Sequence, residues 1–286
     1  MIKTWSTPVN SVICRVIPCA VCGSINFKPA LKCENFLYVR CSNCGLVQMN
    51  PQPEKSGVLN RYSKIYGDDY LAYETANEEP FLKLQQLALN DAHFFDYEKL
   101  LFANNNEPPS ALDAGCATGT LLDYLRGRGW RVTGIEISPC ADYGRKTRKL
   151  DIRNVPLEDC HFDSGCFDTV FASHIIEHLN DPFGFICEVR RILKNGGFLF
   201  ITTPNIYSFQ SCLLGSRWRS AIFDHLYLFS KKTLKLLLKK AGFLVKELHT
   251  WGGLAEGLAP SVIKKIFDKL AKHFGFGDVM IIKAEK

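Results

Sequence analysis

No stretch of this 286-residue chain approaches the ~18 consecutive apolar residues that a membrane-spanning helix needs. Arg15 and Pro18 interrupt the one apolar stretch near the start, so no signal peptide is expected and a cytoplasmic location is. Internal repeats and low-complexity tracts are missing, which excludes collagen and a simple coiled coil. The G-x-G-x-x-G run of a dinucleotide-binding turn is absent. So is an interleaved track of aromatic and basic residues, which weighs against a nucleic-acid partner.

What remains is ordinary globular material, with 47% hydrophobic and 22% charged residues. The net charge of +6 is uneven: residues 205–286 hold 14 Lys and Arg against 6 Asp and Glu. The rest of the chain is slightly acidic. A basic C-terminal third fits either an anionic substrate or surface, or a solvated basic face.

Twelve cysteines are the most unusual feature. Cys19-Ala20-Val21-Cys22-Gly23 and Cys41-Ser42-Asn43-Cys44-Gly45 are two C-x2-C-G knuckles separated by 18 residues. That spacing suits a four-thiolate zinc site, with Cys19, Cys22, Cys41 and Cys44 as ligands. Each glycine permits the turn that aims backbone N–H groups at the thiolates. A closed four-thiolate site leaves no open position, so the zinc is expected to be structural. The expected divisions are a tail over 1–18, a zinc ribbon over 19–53, a helical lid or linker over 54–107, and a larger α/β domain over 108–286.

From Ser110 onward short apolar strands alternate with helices, which predicts a doubly wound, mostly parallel α/β sheet. Phe243–Trp251 and Asp278–Ala284 read as two late strands, expected to form an antiparallel hairpin at the sheet edge. Leu112-Asp113-Ala114-Gly115-Cys116-Ala117-Thr118-Gly119 follows the first strand and opens a helix, the place where open α/β sheets bind nucleotide-like ligands. Glu136 ends the second strand, where a carboxylate can accept two hydrogen bonds from a ribose diol. Asp113 beside the turn would repel a pyrophosphate and attract a cation, which disfavours NAD.

The runs LDAGCATGT, VTGIEISP, FDTVFASHIIEHLNDP and RRILKNGGFLFITTPN resemble the ordered motifs of class I S-adenosylmethionine-dependent methyltransferases, closest to the ubiquinone-biosynthesis-like group. The two knuckles followed by Asn50-Pro51-Gln52-Pro53 resemble the zinc-ribbon head of a bacterial subset, and FDHLYLFSKKTLKLLLKKAGF its C-terminal motif. The resemblance implies a Rossmann-like seven-stranded sheet with one antiparallel strand. It implies S-adenosylmethionine as cofactor, and a sugar, glycan or small metabolite as acceptor, methylated most simply on oxygen. Asp113, Gly115, Cys116, Ala117 and Gly119 would form the turn around the methionine part. Glu136 would bind the ribose and Ile137 flank the adenine. Leu157 and Glu158 would take the adenine edge, because Pro156 stands where many relatives have Asp. Ser173 and His174 would lie beside the sulfonium, and Tyr66 and Tyr70 would be aromatic lid residues.

His174-Ile175-Ile176-Glu177-His178 spells a metalloprotease pattern, but it follows a strand instead of lying on a helix. Within the resemblance, Glu177 and His178 shape the active site, and His225 is the first choice of general base with His178 second. Some relatives bind a divalent metal through an E-x-x-E-H run; here His174 replaces the first Glu, leaving His174, Glu177, His178 and His225 as an alternative ligand set. Rival readings are an RNA methyltransferase or nucleic-acid binder, and a non-catalytic cofactor-binding scaffold.

Ser261–Phe274 has helical spacing, with Ile263, Ile266, Phe267, Leu270 and Phe274 on one face and Lys264, Lys265, Lys269 and Lys272 largely outside it. Packing of that face onto the sheet is expected, with a peripheral membrane contact as the alternative.

Overall fold

The computed structural model describes residues 13–60, 62, 67–104, 106–254 and 260–286. In chain order the ribbon end supplies β1 (Cys14–Arg15), β2 (Phe27–Lys32), β3 (Leu37–Cys41), β4 (Val47–Met49) and β5 (Gln52–Pro53). Four helices follow: α1 (Lys55–Asn60), α2 (Gly67–Ala76), α3 (Glu78–Asp91) and α4 (Phe94–Asn104). The α/β part runs β6 (Ser110–Ala114), α5 (Thr120–Gly127), β7 (Arg131–Ile135), α6 (Cys140–Arg148), β8 (Ile152–Arg153), β9 (Phe167–Ser173), α7 (Pro182–Ile192) and β10 (Leu193–Pro204). The chain then makes α8 (Phe209–Leu214), β11 (Tyr227–Leu228), α9 (Lys231–Lys240), β12 (Leu244–Trp251), α10 (Ser261–Phe274) and β13 (Val279–Glu285).

The main sheet has the order β12-β13-β10-β9-β6-β7-β8. β6, β7, β8, β9 and β10 are mutually parallel. β13 runs antiparallel to both β10 and β12. The two late strands therefore form the expected antiparallel pair at one edge of the sheet, with β12 outermost and β13 between it and β10, and α10 lies in the link that joins them.

Burial on both faces explains the apolar composition of the central strands: all of β6 and the first six residues of β9 are buried. One face carries a cluster of Ala88, Leu89, Phe94, Leu125, Trp130, Phe171 and Phe200, with the Phe94 and Trp130 rings stacked at 5.6 Å. The opposite face joins Val170, Ile186, Val189, Ile201, Leu234 and Leu237 to ribbon residues Val21, Tyr38, Leu46 and Met49. Helix starts follow local chemistry. Pro182 occupies the first turn of α7, where Asp181 accepts from Gly184 N, and Ser230 and Thr233 form a reciprocal capping box on α9.

The ribbon is not a separate bead. Its sheet has the order β11-β4-β3-β2, so the last strand comes from residues 227–228, far along the chain. Met49 N donates to Leu226 O at 2.8 Å, and the Gln52 side chain reaches the same carbonyl at 3.2 Å. The expected boundary at 53/54 is thus bridged by backbone pairing.

Candidate cofactor and acceptor site

The turn after β6 is built by two residues with positive φ, Gly115 at 76° and Gly119 at 80°. Gly115 N and Cys116 N both donate to Ile135 O, which ties the turn to the end of β7. A Cβ on Gly119 would stand 2.5 Å from Leu150 Cδ1, so only glycine lets α5 begin there. Ala117 also lies in the left-handed region, at φ 46°, and its N–H donates to Glu136 Oε2 at 3.0 Å.

Asp113 is 2% exposed, and its Oδ1 has no hydrogen-bond partner among the described residues. Burial, reinforced by the Glu136 charge, pushes its carboxyl up to about 8. A buried acceptor left without a donor fits a ligand that brings one, such as the ammonium of a methionine moiety. Glu136 is also buried. Its Oε1 accepts from Ser138 N at 2.7 Å and Asn154 holds its backbone carbonyl, so the carboxylate is fixed in place. Ile137 beside it is half-buried.

Leu157 is buried in the hydrophobic core, and the Glu158 side chain is ion-paired with Lys55 of α1. Asn154, which the sequence reading missed, is the polar side chain of this loop that contacts the Glu136 backbone. Tyr70 lies on α2, half-buried and close enough to Glu136, Cys140 and Glu74 for their charges to raise its hydroxyl pKa together with burial. Burial likewise pushes Glu74 up to about 7, against a Tyr70 hydrogen bond and with Glu136 and Glu78 adding to the rise. Helix α2 thus lies beside Glu136 and α6. Tyr66 lies outside the described residues.

At the end of β9 Ser173 is half-buried, and His174 turns the chain with φ 52°. His174 N donates to Thr202 O, and its Nδ1 lies 3.2 Å from Glu177 Oε1. Glu177 is fully buried. Its Oε2 accepts from the Thr203 hydroxyl at 3.0 Å. Burial would raise its pKa, but the His174 hydrogen bond and the charges of His174, His178 and His225 hold it down at about 2.

The His178 and His225 rings meet edge to face at 4.7 Å. His178 Nδ1 lies 2.9 Å from Asp224 O and 2.7 Å from the Tyr62 hydroxyl. His225 Nδ1 lies 2.8 Å from Ser220 O. A carbonyl only accepts, so His225 Nδ1 donates to Ser220 O, whereas His178 Nδ1 lies between the Asp224 carbonyl, which accepts, and the Tyr62 hydroxyl, which can donate or accept. His225 is buried, and burial followed by the His178 charge lowers it to about 4; His178 is half-buried. Glu177, His178 and His225 place one ligand atom each within 4.8 Å of one another. His174 is outside that trio and serves Glu177 instead.

The four knuckle cysteines also converge within 4.8 Å, with Sγ–Sγ distances of 3.4 Å for Cys19–Cys44 and 3.5 Å for Cys22–Cys41. Backbone N–H groups of residues 21 and 22 point at Cys19 and those of 43 and 44 at Cys41. Four thiols in a tetrahedral-sized cluster, each pair backed by N–H donors, fit structural zinc.

The strand order, the acidic glycine turn and the carboxylate after the second strand are those of a class I S-adenosylmethionine-dependent methyltransferase. The sequence profile described as a methyltransferase domain matches residues 89–248, and the chain belongs to that family. It is 30% identical over 115 residues to the ubiquinone biosynthesis O-methyltransferase of Methylocella silvestris, covering 37% of this chain and 45% of that protein. It is 31% identical over 130 residues to the malonyl-[acyl-carrier protein] O-methyltransferase of Serratia marcescens, covering 43% and 48%. The matched region thus spans less than half the length of these curated relatives. A chain from the complex between the Haloferax volcanii Trm112 methyltransferase activator and a methyltransferase superposes with a TM-score of 0.53 at 19% identity, covering 76% of this chain and 97% of that one. At that identity the match speaks for the fold alone.

Proposed function

We propose that this chain transfers a methyl group from S-adenosylmethionine to a hydroxyl of a sugar, glycan or small metabolite. The observation that carries the reading is Asp113, a buried carboxylate with an unpartnered oxygen at the glycine turn, set beside a fixed Glu136. A cationic, ribose-bearing ligand there favours the ionised form of Asp113, which burial otherwise keeps protonated up to about pH 8, and so gains a carboxylate partner beside Glu136. When bound, S-adenosylmethionine supplies an electrophilic methyl group on a sulfonium.

The chain's own residues divide the remaining work. Asp113 and the turn Gly115, Cys116, Ala117 and Gly119 receive the methionine part, while Glu136 and Ile137 receive ribose and adenine. Ser173 and His174 border the reacting end. His178 Nε2 takes the hydroxyl proton as the oxygen attacks carbon, and Glu177 stabilises the imidazolium that forms. His178 is a better base than His225, because burial makes His225 a weak one at neutral pH. Tyr70 on α2 serves as an aromatic lid residue beside Glu136.

Two O-methyltransferases among the relatives favour oxygen as the acceptor atom. The four-thiolate cluster serves as a structural zinc site, and nothing in its closed geometry calls for nucleic acid. The test is calorimetry with S-adenosylhomocysteine, joined to transfer of labelled methyl onto hydroxylated candidates. Glu136→Ala should weaken cofactor binding by ~2–4 kcal/mol, through loss of hydrogen bonds to a charged group. Unchanged affinity sinks the assignment, and tight NAD binding sinks the whole reading.

A second reading rests on the Glu177, His178 and His225 trio, whose spacing suits a divalent cation holding the acceptor oxygen. Titration of EDTA-treated protein with Mn2+ distinguishes the two. Saturable binding abolished by His225→Asn favours the cation, and its absence leaves His178 as the base.

A further inference from the structure

Helix α10 presents its apolar stripe outwards. Val262 is 67% exposed, Ile263 52%, Ile266 56%, Leu270 42% and Phe274 65%. At 100° per residue these five side chains fall within one third of the helix circumference. The helix is held to the protein by its opposite side. Ala271 is fully buried, the Thr250 hydroxyl donates to its carbonyl, and Asp268 accepts from Gly253 N. The expectation that the stripe packs inwards holds for Phe267, whose ring meets Phe209 and Phe276, and is corrected for Ile263, Ile266, Leu270 and Phe274, which face out; Phe267, Asp268 and Ala271 make the anchoring contacts.

Charge identifies the occupant of the stripe. Lys264 pairs with Asp268 of its own helix, and Lys272 pairs with Asp91 of α3. Lys265 and Lys269 flank the stripe and make no ion pair among the described residues. The one carboxylate on α10 is Asp268, and it is turned inwards to the Gly253 loop. A second copy of this helix would meet the free lysines with lysines only. A surface that is apolar beneath and anionic above satisfies both halves.

Topology places both ends of α10 at the carboxyl end of the parallel strands. β12 runs parallel to β10, so α10 departs from the carboxyl end of β12 and returns to the start of antiparallel β13 at that same end. The cofactor turn after β6 and the Glu177–His178 segment after β9 leave the sheet there too.

We propose that α10 docks the protein reversibly on an anionic lipid bilayer, with Val262, Ile263, Ile266, Leu270 and Phe274 entering the acyl boundary and Lys265 and Lys269 at the headgroups. Docking of this kind does not depend on the methyl-transfer reading, since it needs no cofactor. It brings the acceptor side of the domain to the membrane surface.

Sedimentation of the full chain with vesicles tests it, using phosphatidylcholine alone and phosphatidylcholine mixed with phosphatidylglycerol. At low salt the chain should pellet with the mixed vesicles and stay in solution with the neutral ones. Ile266→Asn with Leu270→Asn, and separately Lys265→Gln with Lys269→Gln, should each reduce binding about tenfold or more. Both pairs are exposed, and an unchanged thermal unfolding midpoint verifies the fold. No pelleting with mixed vesicles at low salt overturns the proposal. So does pelleting that survives the Ile266/Leu270 change, or a wild-type dimer in sedimentation velocity that the same change converts to monomer.

Discussion

Replacing Asp113 by Asn separates the stability of the empty domain from its capacity to hold a cofactor. In the unfolded chain this carboxyl titrates at an ordinary 3.8, whereas in the folded protein it is pushed up to about 8 by burial and by Glu136. Its folded pKa is raised, so the stability attached to the neutral form is fully present below pH 3.8 and is lost as pH rises through about 8. At ~1.4 kcal/mol per unit, the full penalty above pH 8 is roughly 5–6 kcal/mol. An Asn amide removes that penalty but buries a donor without an acceptor, which costs back ~1–3 kcal/mol. The expected outcome at pH 8.5 is a variant more stable than wild type by ~2–5 kcal/mol, a gain that shrinks towards nothing near pH 5. Urea denaturation at the two pH values measures it. The same variant should lose most of the stabilisation that S-adenosylhomocysteine gives wild type, worth about 2.7 kcal/mol at a hundred times Kd. An Asn variant that is less stable at pH 8.5 and still responds fully to the ligand would refute both the burial penalty and the ligand contact.

Three further outcomes follow from the geometry. Protein purified without added metal should carry one zinc per chain; Cys44→Ser should lose it, and less than half an equivalent in wild type with no change in the variant would contradict the site. Gly119→Ala should destabilise by ~1–3 kcal/mol in thermal or urea unfolding, because its Cβ meets Leu150 Cδ1 at 2.5 Å on a backbone with φ 80°. Tyr38→Phe should cost ~1–3 kcal/mol by removing the hydroxyl donor of the His225 carbonyl, while Ile222 O keeps the His225 N–H, and should shift the His225 ring signals in NMR; unaltered signals would show that the ribbon does not set this loop.

Some of this was legible in the sequence because the constraint is local. Two C-x2-C-G knuckles fix four ligands by spacing alone, and the glycine turn requires positive φ at Gly115 and Gly119, which the structure has. The alternation after Ser110 gave the parallel sheet because strands buried on both faces read as continuous apolar runs. Other features leave no local trace. The pairing of β4 with β11 joins residues some 180 positions apart, and neither segment's sequence names its partner. The periodicity of α10 identified a stripe but not its direction, since a stripe that packs and a stripe that faces out have the same spacing. Thr203 and Asn154 were missed because single polar residues at strand ends are common; their importance appears only when Glu177 and Glu136 are seen to lie against them.

The ribbon is tied directly to the segment that carries His225. Tyr38 is fully buried, and its hydroxyl lies 2.7 Å from His225 O and 2.8 Å from Ile222 O. Leu226 N donates to Glu177 O at 2.7 Å while Leu226 O accepts from Met49 N. The segment carrying His225 is thus held on one side by the ribbon and on the other by the residue that precedes His178. A loop with so few regular hydrogen bonds of its own would otherwise sample many conformations at the cost of a fixed His178–His225 contact. In this arrangement the four thiolates, β3, Tyr38 and the 222–228 backbone form one connected support.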